Sequence, residues 1–293
     1  MKRRSSKVEF FSEGNKIIIK DVKDFDVRKT FECGQCFRWK RESDGSYKGV
    51  AFGKAITIRN VGNDVEIENT NVCDFKNIWY SYFDLGRDYD KIKACIAKDD
   101  IMKEAIKFGN GIRLLKQDVE ELLISFIISA NNTIPRISKS IDMLSQKYGR
   151  KICQKGDVCY TFPSLERLSK LSLDELSECK VGFRNKYIME SAIIGVRMKY
   201  LTMLQSNEKA REILMKFSGV GPKVADCILL FSGIRQDVFP VDVWIKRVME
   251  KLYFKREASL KEIQEFVKDY FGEYAGFAQQ YLFYYARENK IGV

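Results

Sequence analysis

The chain opens in short apolar stretches. Lys16–Lys20 (KIIIK), Phe37–Lys40, Tyr47–Ala51, Ala55–Arg59 and Val65–Glu68 are rich in Ile, Val and aromatic residues. Turn formers separate them: Glu13-Gly14-Asn15, Ser43-Asp44-Gly45, Phe52-Gly53 and Gly62-Asn63-Asp64. Such runs between such turns predict an antiparallel meander. From about Asn77 the apolar positions recur at helical spacing. Asp118-Val119-Glu120-Glu121 reads as a carboxylate capping box opening a buried helix to about Ala130. Asn131-Asn132 breaks that helix, and Pro135 suits the first turn of the next. Ser172 with Glu175 and Ser259 with Glu262 repeat the capping-box signature. Further helices are expected at 185–199, 207–216, 222–231, 243–253, 260–270 and 275–288. There is no internal repeat and no low-complexity linker. The pattern predicts an α+β protein, with an antiparallel sheet domain and flanking helices over 1–112 packed tightly on a helical body over 113–293.

Composition narrows the chemistry. The 293 residues contain no histidine. That removes Ser-His-Asp and Cys-His hydrolysis, His-ligated metals and His acid–base catalysis. Any reaction must use Lys, Asp, Glu, Cys, Ser, Tyr or backbone groups. With 51 Lys plus Arg against 40 Asp plus Glu, the net charge of +11 suits a polyanionic partner, or simply a solvated basic surface. The longest dense apolar run, Leu122–Ala130, is too short to span a bilayer. The basic start lacks the apolar core of a secretory signal. The eight cysteines are scattered, which favours reduced thiols over a disulfide framework. A cytoplasmic, nucleoid-associated protein of a prokaryote is expected.

The informative segment is Phe217–Phe239, FSGVGPKVADCILLFSGIRQDVF, followed by Pro240-Val241-Asp242-Val243-Trp244. A helix should end near Phe217. Gly219 and Gly221 flank Val220 in a tight turn, and Pro222 starts a new helix. Together they predict a helix-hairpin-helix. The glycines permit close approach of a phosphate, and the following helix start offers its N–H groups to it. An ordinary Gly-rich turn is the bland alternative. Lys223 at the start of the second helix and Asp242 nineteen residues later sharpen the reading. This order of hairpin, lysine and aspartate resembles the helix-hairpin-helix DNA glycosylase superfamily, and the resemblance implies that a neutral Lys223 amine attacks C1′ of a sugar and forms a Schiff base, which permits strand cleavage by β-elimination. A neighbouring carboxylate stabilises the positive charge that develops as an N-glycosidic bond breaks. The helix N-terminus disfavours the protonated amine and so helps to free the nucleophile.

CGQCFRW at 33–39, RLLKQD at 113–118, SFIISANNTIPRI at 125–137, FPSL at 162–165, VGFRNKY at 181–187, GVGPKVADC at 219–227 and YAGFAQQYLF at 274–283 are similar, in order, to the 8-oxoguanine DNA glycosylase family. The resemblance implies a bifunctional glycosylase and abasic-site lyase in base excision repair. Its partner would be double-stranded DNA containing 8-oxoguanine. It implies Lys223 as nucleophile and Asp242 as the assisting carboxylate. Gly34 would offer its carbonyl to the N7–H of the lesion, which guanine lacks; a buried mispaired acceptor costs ~1–3 kcal/mol. Cys227 and Phe283 would grip the everted base, and Gln279 would read its Watson–Crick edge. Asn131 would plug the vacated stack. Arg136 and Arg184 would read the estranged cytosine, with Phe183 as a wedge where eukaryotic members carry Tyr. Gly219, Val220 and Gly221 would hold a phosphate. Trp244 stands where eukaryotic members carry His, and its indole N–H can donate to a phosphate without carrying charge.

Other signals carry less. Cys33-Gly34-Gln35-Cys36 is a CxxC without a second CxxC or a His, so no metal is expected, and no cofactor is needed. A cation at the 217–222 hairpin is conceivable within the superfamily. No cysteine follows Cys227, which argues against the branch that carries a C-terminal four-cysteine iron–sulfur cluster. A monomer is expected. Two rivals remain: a preference for another oxidised or alkylated purine, and a catalytically silent DNA-structure binder that uses only the hairpin.

Overall fold

A computed structural model describes residues 8–154, 156–198 and 209–292. The N-terminal part is a six-stranded antiparallel sheet: β1 (Phe10–Glu13), β2 (Lys16–Ile19), β3 (Trp39–Arg41), β4 (Tyr47–Ala51), β5 (Lys54–Val61) and β6 (Asp64–Glu68), in the spatial order β1-β2-β6-β5-β4-β3. The tight turns make neighbours of β1 and β2, β4 and β5, and β5 and β6. β2 then closes on β6, pairing Ile17 with Ile67 and Ile19 with Val65. One face buries Ile17, Ile19, Ile56, Ile58 and Ile67 against Phe75, Trp79 and Phe83 from the helical run that follows. Apolar burial on this scale is the main stabilising term in such a domain.

Two details differ from the sequence pattern. The strand expected at Phe37–Lys40 begins only at Trp39, because Phe37 turns away to pack edge-on against Phe126, with ring centroids 5.7 Å apart. Arg38 turns with it and donates to the Val50 carbonyl and to Glu121. The edge strand β1 was not expected. Its sequence, FFSE, has no apolar alternation, since three of its four residues are exposed.

From Val72 onward the regular structure of the described residues is helical apart from one hairpin. Short helical segments give way to Tyr89–Ile96 and Asp100–Phe108, then to the body helices Val119–Ser129, Ile134–Tyr148 and Arg184–Met198. Ala210–Leu214, Pro222–Phe231, Val243–Met249, Leu260–Phe271 and Ala275–Glu288 complete it. Of the helices expected at 185–199 and 207–216, residues 199 and 207–208 lie outside the described residues. The expected 243–253 helix changes after Met249 to a wider π turn, Glu250–Phe254. A two-stranded hairpin, β7 (Lys151–Gln154) and β8 (Asp157–Tyr160), interrupts the helical body.

Local capping chemistry explains most helix starts. The Ser172–Glu175 and Ser259–Glu262 boxes are complete in both directions. The expected box at Asp118 is only half made. Asp118 accepts from the Glu121 N–H, but the Glu121 carboxylate is drawn instead into a 3.2 Å ion pair with Arg38. Burial pushes the Glu121 carboxyl upward despite that partner. The helix it opens, Val119–Ser129, is the spine of the body: Leu122 through Ile128 are all buried.

Candidate active site

The sheet and the helical body meet around a cavity of about 270 Å³. Lys223, Asp242, Gly34, Cys227, Gln279, Phe283 and Trp244 all line it. These residues are spread from position 34 to position 283, and the fold brings them to one hollow.

Lys223 arrives on the first turn of the Pro222–Phe231 helix. That helix starts cleanly because Gly221 is its N-cap in extended backbone and Pro222 occupies its first turn. The Lys223 Nζ lies 5.5 Å from the centroid of Phe126, on which Phe231 stacks at 5.6 Å and 14°. The ring restricts the long side chain beneath the cavity. Asp242 is the N-cap of Val243–Met249; its Oδ1 accepts from the Ile245 N–H at 2.7 Å. Capping fixes the carboxylate without removing it from the cavity. Cys227, four residues after Lys223, shares its helix face. Burial pushes its thiol up to about 11, against the opposing pull of Lys223. Cys227 is therefore a neutral thiol at pH 7.

Two hydrogen-bond acceptors in the wall are unengaged. The Gln279 amide oxygen is buried and has no hydrogen-bond partner among the described residues. The Gly34 carbonyl has none there either, although those around it do. The Glu32 carbonyl accepts from Arg287, that of Cys33 from Gln280 at 2.8 Å, and that of Gln35 from Gln117 at 2.8 Å. Gly34 sits at φ +90°, a left-handed conformation that suits glycine. A Cβ there would lie 3.0 Å from Phe283 Cε1. The Gln35 side chain anchors the turn from behind, bonding the Thr30 and Arg113 carbonyls and the Leu115 N–H, each at 2.8 Å. Buried acceptors without donors are rare in folded proteins, so the Gln279 oxygen in the wall of this hollow marks a ligand site.

The remaining sequence-derived residues, Trp244 apart, lie outside the cavity lining. Gly219 (φ +80°) and Gly221 form the hairpin as expected, and nothing lies within 4 Å of where a Gly221 Cβ would stand, so its backbone is open to approach. Trp244 is placed in the cavity wall, where its ring meets Phe283 edge-on at 5.0 Å. Asn131 is exposed with φ +50°, and its neighbour Asn132 lines the cavity instead. Arg136 is exposed on the first turn of Ile134–Tyr148. Phe183 is 62% exposed. Arg184 is buried, and four of its donor contacts go to backbone: two to Ala130, one to Asn131 at 2.9 Å and one to Val181. In this state it clamps the turn that carries Asn131, leaving one Nη1 hydrogen for another partner. Phe37, Phe126, Ile134, Ile137 and Gln280 also line the cavity and were not singled out from sequence. They sit in apolar or helical stretches whose pattern does not separate wall from core.

Among the described residues no cluster of His, Cys, Asp or Glu is arranged to hold a metal ion. No helix there is long and apolar enough to cross a membrane. All eight cysteines are free. Burial raises the Cys33 thiol to about 12 and raises the Cys36 thiol as well.

A glycine hairpin feeding a helix-start lysine, with an aspartate lining the same hollow, points to a class of DNA repair protein. Residues 124–272 match the family model of the helix-hairpin-helix GPD superfamily of base excision DNA repair proteins. Residues 17–123 match that of the 8-oxoguanine DNA glycosylase N-terminal domain. The chain belongs to the 8-oxoguanine DNA glycosylase family. A probable N-glycosylase/DNA lyase of Methanothermobacter thermautotrophicus is 32% identical over 306 residues, covering 92% of this chain and 96% of that protein. The Clostridium acetobutylicum 8-oxoguanine glycosylase/lyase, solved with double-stranded DNA containing cytosine opposite 8-oxoguanine, is 45% identical with a TM-score of 0.94, over 97% of this chain and 99% of that one. MBOgg1, solved with a low-affinity DNA ligand, is 49% identical with a TM-score of 0.95, over the same shares of the two chains.

Proposed function

We propose that Lys223 and Asp242 carry out this family's reaction on 8-oxoguanine everted from duplex DNA, as a monomer acting on prokaryotic chromosomal DNA in the cytoplasm. The chain is read as two packed parts, 1–112 and 113–293, with the lesion pocket between them. The base enters between Cys227 and Phe283. Gly34 accepts the N7–H that distinguishes it from guanine, and Gln279 reads its Watson–Crick edge. The neutral Lys223 amine attacks C1′, the N-glycosidic bond breaks, and the base leaves with the bonding electron pair. Asp242 stabilises the positive charge on the sugar as this happens. The C1′–N adduct loses a proton and opens to a Schiff base. Removal of a C2′ proton then expels the 3′ phosphate and nicks the strand.

The hairpin at Gly219–Gly221 holds a backbone phosphate. Asn131, Phe183, Arg136 and Arg184 occupy the gap and meet the opposite base. The observation that supports this reading most is the shared cavity, lined by the amine, the carboxylate, the Gly34 turn and the buried, partnerless Gln279 amide oxygen. The acceptors favour an oxidised guanine, with its N7–H, over an alkylated adenine. They also favour an enzyme over a silent DNA binder, which needs no base pocket. Borohydride trapping on a duplex with one 8-oxoguanine tests it. The wild-type chain should form a covalent adduct and Lys223→Gln should not; full trapping by Lys223→Gln would remove Lys223 as nucleophile.

A further inference from the structure

The acceptor that tells the lesion from guanine is a backbone carbonyl, so its position depends on what holds the turn around it. That turn, Glu32–Gln35, comes from the N-terminal part, whereas Gln279 and Phe283 come from the C-terminal helix Ala275–Glu288. The Gly34 Cβ position lies only 3.0 Å from Phe283 Cε1, so the turn packs against that ring and a small shift would move the Gly34 carbonyl relative to a base seated on it.

Two side chains on the C-terminal helix reach across and hold the turn. Gln280 is 2% exposed, and its Nε2 donates to the Cys33 carbonyl at 2.8 Å. Arg287 Nη2 donates to the Glu32 carbonyl at 2.6 Å. Its guanidinium also lies 5.8 Å from the Phe283 ring centroid. Gln280, Phe283 and Arg287 are spaced i, i+3 and i+7, which places them in one stripe along the helix. The stacking aromatic is thus flanked on its own helix by the two donors that fix the opposing turn. The bonds engage the two carbonyls that precede Gly34, those of Glu32 and Cys33, and leave the Gly34 carbonyl itself unengaged.

We propose that Gln280 and Arg287 are positioning residues for lesion recognition: together they latch the 32–35 turn to the C-terminal helix and set where the Gly34 carbonyl stands relative to a base held between Cys227 and Phe283. The proposal rests on the base-excision reading of this cavity. It separates the two chemical steps. Excision needs that placement; β-elimination at a preformed abasic site has no base to read and does not.

The experiment uses the full chain with Gln280→Met and Arg287→Met, singly and together. Single-turnover excision of 8-oxoguanine is compared with nicking of the same duplex carrying a preformed abasic site. Excision should fall by about tenfold or more in each variant, the scale of one lost buried hydrogen bond. Abasic-site nicking should stay within about twofold of wild type. Arg287→Lys, which keeps a donor and a charge, should recover part of the excision rate. Unchanged excision in the double variant would overturn the latch. So would a parallel loss of both activities, which marks a general structural role. A wild-type chain that nicks abasic sites but leaves 8-oxoguanine intact would overturn the substrate reading as well.

Discussion

Asp242 Oδ1 accepts the Ile245 backbone N–H at 2.7 Å while the same carboxylate lines the cavity that holds Lys223. One residue therefore caps a helix and faces the reacting centre. The two roles separate by substitution, because Asn caps about as well as Asp but carries no charge. Asp242→Asn should fold and bind DNA like wild type while excising the lesion about 100-fold more slowly or worse. Asp242→Ala should lose the same activity and about 1 kcal/mol of stability with the cap. Thermal melts and single-turnover rates on the two variants check this. Equal destabilisation of both would show that the carboxylate matters mainly for folding.

The Cys227 thiol is buried and pushed up to about 11. Cys73, Cys95 and Cys153 are exposed. Alkylation follows thiolate fraction and access, so iodoacetamide at pH 8 should label the three exposed cysteines quickly and Cys227 slowly. Peptide mass spectrometry reads the difference directly. Excision should survive labelling of the exposed thiols. Rapid modification of Cys227 would contradict a neutral, buried pocket wall.

The parts of the molecule that were legible in the sequence are those encoded locally. The β4–β5–β6 meander follows from Phe52-Gly53 and Gly62-Asn63 between apolar runs, and the hairpin from Gly219, Gly221 and Pro222 ahead of Lys223. Resemblance to a family then carried the reading across the chain to Gly34, Gln279 and Phe283, which line one cavity with Lys223 and Asp242. What stayed hidden depends on long-range pairing. The Gln280 bond to Cys33 spans 247 residues, and no local period announces it. Phe126 reads as core because it is core, stacked on Phe231, while also lying under Lys223. β1 and the β7–β8 hairpin are short and largely exposed, so neither leaves an alternating apolar signature. Glu121 was read as a capping partner, yet Arg38, 83 residues away, takes its carboxylate.

Asp226 neighbours Cys227 on the hairpin's second helix and pairs with Arg211 at 2.8 Å, tying that helix to Ala210–Leu214. The Asp226 side chain is 4% exposed and that of Arg211 is 44% exposed. Burial raises the Asp226 carboxyl from 3.8 to about 6, with Arg211 offsetting part of the cost. A folded-state value above the unfolded one means that the native state holds the proton more tightly. Stability from this group is full below about pH 4 and is lost as pH rises through about 6, by roughly 2–3 kcal/mol in all. Other carboxylates pull the opposite way, so the comparison must be made against a matched variant. Asp226→Asn has no proton to lose, and its stability relative to wild type should rise by roughly that amount between pH 4 and pH 7. Urea midpoints at the two pH values measure it. Arg211→Met should be strongly destabilising at pH 7 because it strands a buried charge, and Asp226→Asn in the same chain should recover most of the loss. A flat difference across the pH range, or no recovery in the double variant, would show that the pair is not what ties the hairpin helices together.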